Sequence, residues 1–343
     1  MSRIPVAVNG YGVIGRRVAD AIVLQDDMEL IGVADIATGY RVRTAQQRGY
    51  PIYAALADKA TELRSAGLDV RGSLDDLLKA AEIVVDCTPK GIDAKNKAKY
   101  EQAGLKAIFQ GGAKHELTGH SFVASANYAS ALGRSTTRVV SCNTTATVRT
   151  LGALKNARLL RRARGVLIRR ASDPWEAHLD GILNTMVPEP RIPSHQGPDA
   201  KTVIPDLDVV TMAAMAPENV GHLHYWVVDL TRESSRDEVL ETFAQATRIA
   251  FISASQGVAA LNATADLMHE LGRPRGDMWE VGLWEDILTV QGSEAYYAYQ
   301  VDNQAIVIPE TIDAIRALSG RERDGRVSIE RTNKNMGIRH RFL

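Results

Sequence analysis

Two cysteines, Cys87 and Cys142, are all that a chain of 343 residues contains. They are too few for a disulfide scaffold and are not spaced as a metal clip, so no metal site is expected and a reducing cytoplasm is the expected compartment. An excess of charge of one sign is also missing: 41 Lys plus Arg stand against 41 Asp plus Glu, for a formal net charge of zero. A nucleic-acid or acidic-polymer binder would carry a basic surplus, so that class of partner is excluded. No apolar run approaches the roughly 18 residues of a membrane span, which sets aside a membrane partner. The N-terminus enters a strand-like pattern at Ile4-Pro5-Val6, which leaves no room for a signal peptide. Repeats, low-complexity tracts and heptad arrays are absent as well. What remains is an ordinary globular composition, 45% apolar and 24% charged, long enough for about two domains.

Short buried-strand runs alternate with helical stretches through the first 140 residues. Val6-Ala7-Val8, Leu30-Ile31-Gly32-Val33, Ile83-Val84-Val85, Ala107-Ile108-Phe109 and Val139-Val140 read as strands, the pattern of a parallel sheet covered by helices. Beyond Asn143 the texture changes. Longer β-rich runs such as Gly165-Val166-Leu167-Ile168, Val209-Val210-Thr211-Met212 and Tyr225-Trp226-Val227-Val228 are separated by Pro- and Gly-rich loops. The expected fold is α/β: an N-terminal dinucleotide-binding domain over about 1–140, then an α+β domain over about 141–304 with a mixed, largely antiparallel sheet. Helical spacing of Ile312, Ile315 and Leu318 after Pro309, and a second stretch at about Ile329 to Ile338, predict C-terminal helices over about 305–343 that return to the first domain.

After the first strand comes Asn9-Gly10-Tyr11-Gly12-Val13-Ile14-Gly15, then a helical pattern. In this strand–turn–helix setting Gly10 permits the tight turn and Gly12 lets a pyrophosphate approach the backbone. Gly15 lets the helix pack close, and the helix N-terminus offers N–H groups and a positive dipole to phosphate. The second strand ends at Asp35, 20 residues beyond Gly15. A carboxylate there accepts hydrogen bonds from the adenosine ribose and repels a 2′-phosphate, which favours NAD; it also suits a simple loop cap. Arg41 and Arg43 lie near enough in sequence to keep NADP open.

The strand-like Arg138-Val139-Val140 runs into Ser141-Cys142-Asn143-Thr144-Thr145, with a helical pattern from Ala146. A cysteine at a helix start feels the positive end of the macrodipole and receives N–H bonds, both favouring thiolate. Its Ser, Asn and Thr neighbours supply caps and oxyanion donors. Cys87, in Val85-Asp86-Cys87-Thr88-Pro89, reads instead as a small packing residue at the end of an apolar strand.

Together with Asn9-Gly10-Tyr11-Gly12, Phe109-Gln110-Gly111-Gly112, Ile168-Arg169-Arg170, Pro193-Ser194-His195 and Val307-Ile308-Pro309-Glu310, the cysteine segment resembles the archaeal-type glyceraldehyde-3-phosphate dehydrogenases, in order over nearly the whole chain. The resemblance implies a phosphorylating aldehyde dehydrogenase of glycolysis or gluconeogenesis, with a Rossmann domain, an α+β catalytic domain, and usually a homotetramer. It implies Cys142 as the nucleophile and His222, in Gly221-His222-Leu223-His224, as the catalytic histidine that removes the hydroxyl proton of the hemithioacetal. His224, two residues on, is the alternative and would share its face of a strand. The resemblance further implies that Val13, Ile14, Gly112 and Arg170 contact the dinucleotide, with Asn303 near its nicotinamide end. Ser141, Asn143, Thr144, Arg169, His195, Gln196 and Gly197 would line the side of the phosphorylated aldehyde and inorganic phosphate. Arginine suits phosphate because its planar fork donates two parallel hydrogen bonds.

Three positions depart from the family pattern. Asp35 stands where a group suited to a 2′-phosphate is common, Gln196 replaces a second histidine, and Asn303 replaces a more usual glutamine. The first opposes NADP; the other two leave open a related phosphorylating dehydrogenase for another semialdehyde. A non-catalytic dinucleotide-binding protein is the rival from a different class.

Overall fold

A computed structural model describes residues 3–110, 112–174, 182 and 184–343; Gly111 of the quoted motif lies outside the described residues. The chain divides into two compact units, Met1–Ser141 with Ile308–Met336, and Cys142–Val307 with Gly337–Leu343.

The first unit is built on eight strands: β1 (Ile4–Asn9), β2 (Met28–Asp35), β3 (Ile52–Ala54), β4 (Val70–Ser73), β5 (Ile83–Asp86), β6 (Lys106–Phe109), β7 (Ser121–Phe122) and β8 (Thr136–Val139). They pair in parallel in the order β4-β3-β2-β1-β5-β6-β8-β7. The apolar runs Val6-Ala7-Val8 and Ile83-Val84-Val85 are fully buried, as strands covered on both faces must be. The order reverses between β1 and β5, and at such a switch point the carboxyl ends of the strands leave a crevice.

The glycine turn sits there. Gly10 has φ +92°, and a Cβ on it would lie 2.8 Å from the carbonyl oxygen of Cys87. A Cβ on Gly15 would lie only 1.8 Å from the carbonyl oxygen of Gly10, so the helix Val13–Val23 begins hard against the turn.

The C-terminal helices, Ile308–Ser319 and Gly325–Met336, belong to this unit. The second begins earlier than the spacing predicts, because the Asp324 carboxylate accepts the Arg326 N–H at 2.8 Å. It stops at Met336, before Gly337 at φ +67°. Buried Arg316 ties it down, donating to Thr332 at 2.6 Å, Gln25 at 2.8 Å and Asp27 at 2.7 and 2.9 Å. A charge held inside a protein needs that many partners.

The second unit carries β9 (Leu160–Arg170), β10 (Val187–Pro188), β11 (Val209–Ala216), β12 (His222–Leu230), β13 (Ile249–Ile252), β14 (Val281–Trp284), β15 (Thr289–Gln291) and β16 (Glu294–Val301). Their order is β10-β11-β9-β12-β16-β14-β13, with β15 on β16. Only the pairs β9–β11 and β13–β14 are parallel, so the sheet is mixed and largely antiparallel, as expected. The helix Cys142–Asn156 is buried along most of its length. Among the described residues no helix is long and apolar enough to cross a membrane.

Gly15→Ala puts a methyl group into the 1.8 Å gap to the Gly10 carbonyl. The variant is expected to lose roughly 1–3 kcal/mol of unfolding free energy, the usual cost of overpacking, read from a urea titration. An unchanged midpoint would mean that the turn yields freely.

Candidate active site

The helix starts four residues earlier than its pattern predicts, so that Cys142 is its first residue. Asn and Thr are indifferent helix formers, and tertiary contacts hold them here. The Thr144 hydroxyl donates to Asp199 Oδ2 at 2.7 Å; within the helix, the Thr147 hydroxyl donates to the Asn143 carbonyl one turn back at 2.9 Å. Thr144 thus anchors the helix start to the short helix Gln196–Lys201.

Strand β12 lies between β9 and β16, and its alternation places His222 and His224 on one face. Each meets a different residue of the cysteine helix. His222 Nε2 is 3.4 Å from Cys142 Sγ, and His224 Nε2 is 2.8 Å from Asn143 Oδ1. The amide oxygen only accepts, so His224 donates through Nε2, and the Tyr299 hydroxyl donates to its Nδ1 across 3.0 Å. His224 is therefore a buried support of Asn143, and burial holds it down at a pKa of about 3.

The tautomer of His222 is fixed from its other side. The backbone N–H of Arg170 donates to Nδ1 at 3.1 Å, so the neutral ring carries its proton on Nε2 and points it at the sulfur. Protonating Nδ1 would break that bond. Burial, and then His224, Arg170 and Arg169, hold the imidazole well below its usual range. In the free protein the ring therefore presents an N–H donor toward the sulfur, and the proton-abstracting role expected of His222 requires that proton to leave Nε2 first.

Burial opposes the resting thiolate expected of Cys142. Cys142 is half-buried, and burial pushes its thiol up to about 11, against the pull of Arg170, the Asn143 N–H and Arg169. The helix start and the cations favour the anion, but desolvation outweighs them in the free protein. The same two arginines that favour a thiolate disfavour an imidazolium, so ionising the thiol would leave an anion beside a neutral donor rather than an ion pair.

Arg169 and Arg170 end strand β9, and each meets a carboxylate. Arg170 Nη2 lies 2.8 Å from Asp173 Oδ1, and Arg169 Nη1 lies 3.0 Å from Glu189 Oε2. His195 Nδ1 and its backbone N–H also approach the Glu189 carboxylate, at 3.2 and 3.3 Å. Gln196 is fully buried, and neither of its amide atoms has a hydrogen-bond partner among the described residues. The Gly197 N–H donates to Thr211 Oγ1 at 2.9 Å. Half-buried Ser141 precedes the helix. Half-buried Asn303 follows β16 in a turn shaped by Asp302, which accepts the N–H groups of Met278, Gln304 and Ala305 at 2.9–3.0 Å. Glu189, Asp173 and Asp199 had no local signal in the sequence except the Arg170–Asp173 spacing of three.

In the first unit, a Cβ on Gly12 would meet nothing within 4 Å, so the backbone at the start of Val13–Val23 is open to a phosphate, with Val13 and Ile14 in the first turn. Asp35 accepts the N–H of Tyr11 on Oδ2 at 2.7 Å, and those of Ile36 and Ala37 on Oδ1 at 2.7 and 2.8 Å. It caps its loop and ties it to the glycine turn. Gly112 is exposed in the turn after β6. These residues fit a dinucleotide. Cys87 follows β5, and burial raises its thiol well above the usual range, as suits packing.

Comparison with known proteins gives a consistent picture. Residues 141–270 match the family "Glyceraldehyde 3-phosphate dehydrogenase, C-terminal domain". A protein of Methanobrevibacter smithii named glyceraldehyde-3-phosphate dehydrogenase is 44% identical over 97% of this chain and 99% of its own length. Proteins of the same name from Methanococcoides burtonii, 44% identical over 98% of this chain and all of its own, and Methanothermus fervidus, 42% identical over 97% and 98%, are similar to the same extent.

Because only the thiolate reacts, alkylation of Cys142 by iodoacetamide in the free protein should climb about tenfold per pH unit from neutrality upward, since the thiol titrates near about 11. A rate already level at neutral pH would refute the desolvated thiol.

Proposed function

The chain belongs to the glyceraldehyde-3-phosphate dehydrogenase family, and we propose that it is a working phosphorylating member of it. It oxidises glyceraldehyde 3-phosphate to 1,3-bisphosphoglycerate with a nicotinamide dinucleotide and inorganic phosphate, as a homotetramer in the cytoplasm. The observation that carries this reading is the 3.4 Å approach of Cys142 Sγ to His222 Nε2 at the first residue of a helix, beside Arg169 and Arg170.

The Cys142 thiol loses its proton to solvent, and the thiolate adds to the aldehyde carbon and leaves an alkoxide on it. The Nε2–H of His222 stands on that side of the sulfur and stabilises the alkoxide as a neutral donor, with no proton to remove because the thiol has already lost its own. A nicotinamide dinucleotide would supply the hydride acceptor, and loss of hydride from this carbon would leave a thioester on Cys142. Inorganic phosphate then attacks the thioester carbonyl and displaces the sulfur as thiolate, giving the acyl phosphate. Arg169 and His195 bind the anions of substrate and phosphate, and the open amide of Gln196 takes a substrate oxygen, which a buried amide without a partner is suited to do. Gln196 also supports a second reading, in which the aldehyde is another phosphorylated semialdehyde.

In the first unit, Gly10, Gly12, Val13, Ile14, Gly15, Asp35 and Gly112 hold the dinucleotide, and NAD is the preferred form. Among the described residues Asp35 Oδ2 accepts the Tyr11 N–H, and a carboxylate oxygen has a further lone pair for a ribose hydroxyl, while its charge repels a 2′-phosphate. Arg43 donates to the Ala66 carbonyl at 2.8 Å, and Arg41 lies 5.7 Å from the Tyr40 ring centre. The two thiols are free, which suits a reducing compartment.

Phosphate-dependent reduction of the nicotinamide by glyceraldehyde 3-phosphate tests the reading. Cys142→Ser should abolish it while dinucleotide affinity holds, and His222→Ala should cost roughly 10²–10⁴ in kcat, the range for a lost oxyanion donor or acid–base group. No turnover by the wild type, across a panel of phosphorylated aldehydes, would overturn the proposal. On the cofactor side, kcat/KM with NAD should exceed that with NADP, and Asp35→Ser should narrow the gap. A wild-type preference for NADP would reverse the assignment of Asp35.

A further inference from the structure

The Glu189 carboxylate is held as a bound anion would be. Oε2 receives Arg169 Nη1 at 3.0 Å, and Oε1 receives both the backbone N–H and ring Nδ1 of His195 at 3.3 and 3.2 Å. Its backbone is pinned: it follows β10 between Pro188 and Pro190, and its N–H donates to the Ala213 carbonyl at 2.8 Å. Only the side chain is left to swing away. Burial works against the ionised form, yet the His195 hydrogen bonds and the nearby Arg169 hold the carboxyl below its usual range.

We propose that Glu189 is an internal competitor that sets the anion selectivity of this site, occupying the donors of Arg169 and His195 until a doubly charged tetrahedral oxyanion displaces it. The inference rests on the reading that Arg169 and His195 bind phosphate. A singly charged oxyanion offers these donors no more charge than the carboxylate already there, and it must also leave Glu189 unpaired beside it. A doubly charged phosphate or sulfate offers twice the charge and further acceptor oxygens. The pair is partly exposed, with Arg169 at 29% and Glu189 at 21% side-chain exposure, so exchange with solvent anions has a route. The other cation at the strand end, Arg170, is paired with Asp173 at 2.8 Å and sets up no equivalent competition, because Asp173 lies on its own stretch of chain three residues away.

The test is anion titration of the full-length protein by calorimetry, with phosphate, sulfate and nitrate, alongside the KM for phosphate in aldehyde oxidation. Wild type should bind sulfate in clear preference to nitrate. Glu189→Gln should tighten phosphate about two- to fivefold, the size of a lost partly exposed ion pair, and should raise nitrate affinity enough to shrink the sulfate-to-nitrate ratio. Glu189→Ala should move both quantities in the same direction, which guards against an effect peculiar to the amide. Weaker phosphate binding in both variants would show that Glu189 merely orients Arg169, and unchanged binding would show that it does not compete; either overturns the proposal. Arg169→Ala separates the two layers of the argument. If it leaves phosphate affinity unchanged, the underlying assignment of Arg169 fails; if it weakens phosphate while Glu189→Gln gains nothing, only the internal competitor fails.

Discussion

The N–H of Arg170 donates to Nδ1 of His222 across 3.1 Å, and the chemistry available at Cys142 follows from that one bond. A backbone amide is a donor at every pH, so the ring nitrogen facing it must accept. The remaining proton is forced onto Nε2, 3.4 Å from the sulfur. An imidazole held this way resists protonation, and it serves developing negative charge without a change of protonation state. Arg170 therefore acts twice, through its main chain on the tautomer of His222 and through its guanidinium on the charge of the sulfur.

This arrangement depends on sheet register. Antiparallel pairing sets Leu223 of β12 opposite Ile168 of β9, which brings the end of β9 alongside the start of β12. A slip of one residue would turn His222 and His224 to the other face. The two histidines share a face but not a function. His222 has one nitrogen toward the reacting sulfur, whereas both nitrogens of His224 are engaged, one by Asn143 and one by Tyr299. Supporting Asn143 in turn keeps its N–H aimed at Cys142.

Much of this was legible in the sequence, and the limits have physical reasons. The glycine turn is local: Gly10, Gly12 and Gly15 are dictated by a few residues of backbone, and the order of buried runs implied the parallel sheet that is found. The membership read from short motifs is borne out by relatives that match nearly the whole chain. Cys142 stood out because a strand–helix junction is also a local feature. The state of its thiol did not, since dipole and caps are visible in sequence and desolvation is not. His222 came from the resemblance alone, and only the fold shows what its two nitrogens face. Glu189 lies in a proline-rich loop 20 residues beyond Arg169, and no periodicity links them. The helix at Gly325 was placed late because Asp324, its cap, falls outside the apolar repeat.

Unsatisfied groups carry the remaining information. A buried amide with no partner costs about 1–3 kcal/mol, and Gln196 bears that cost at both of its atoms. It sits one helical turn from Asp199, whose carboxylate accepts the Thr144 hydroxyl at 2.7 Å. Arg169 presents the opposite case, a donor already satisfied by an exchangeable carboxylate. A ligand meeting both gains the whole of a new hydrogen bond at Gln196 but only a difference between two anions at Arg169. Under the proposed function, recognition of a neutral oxygen and selection among anions fall to different residues, and a substrate that offers both features at once would draw on each.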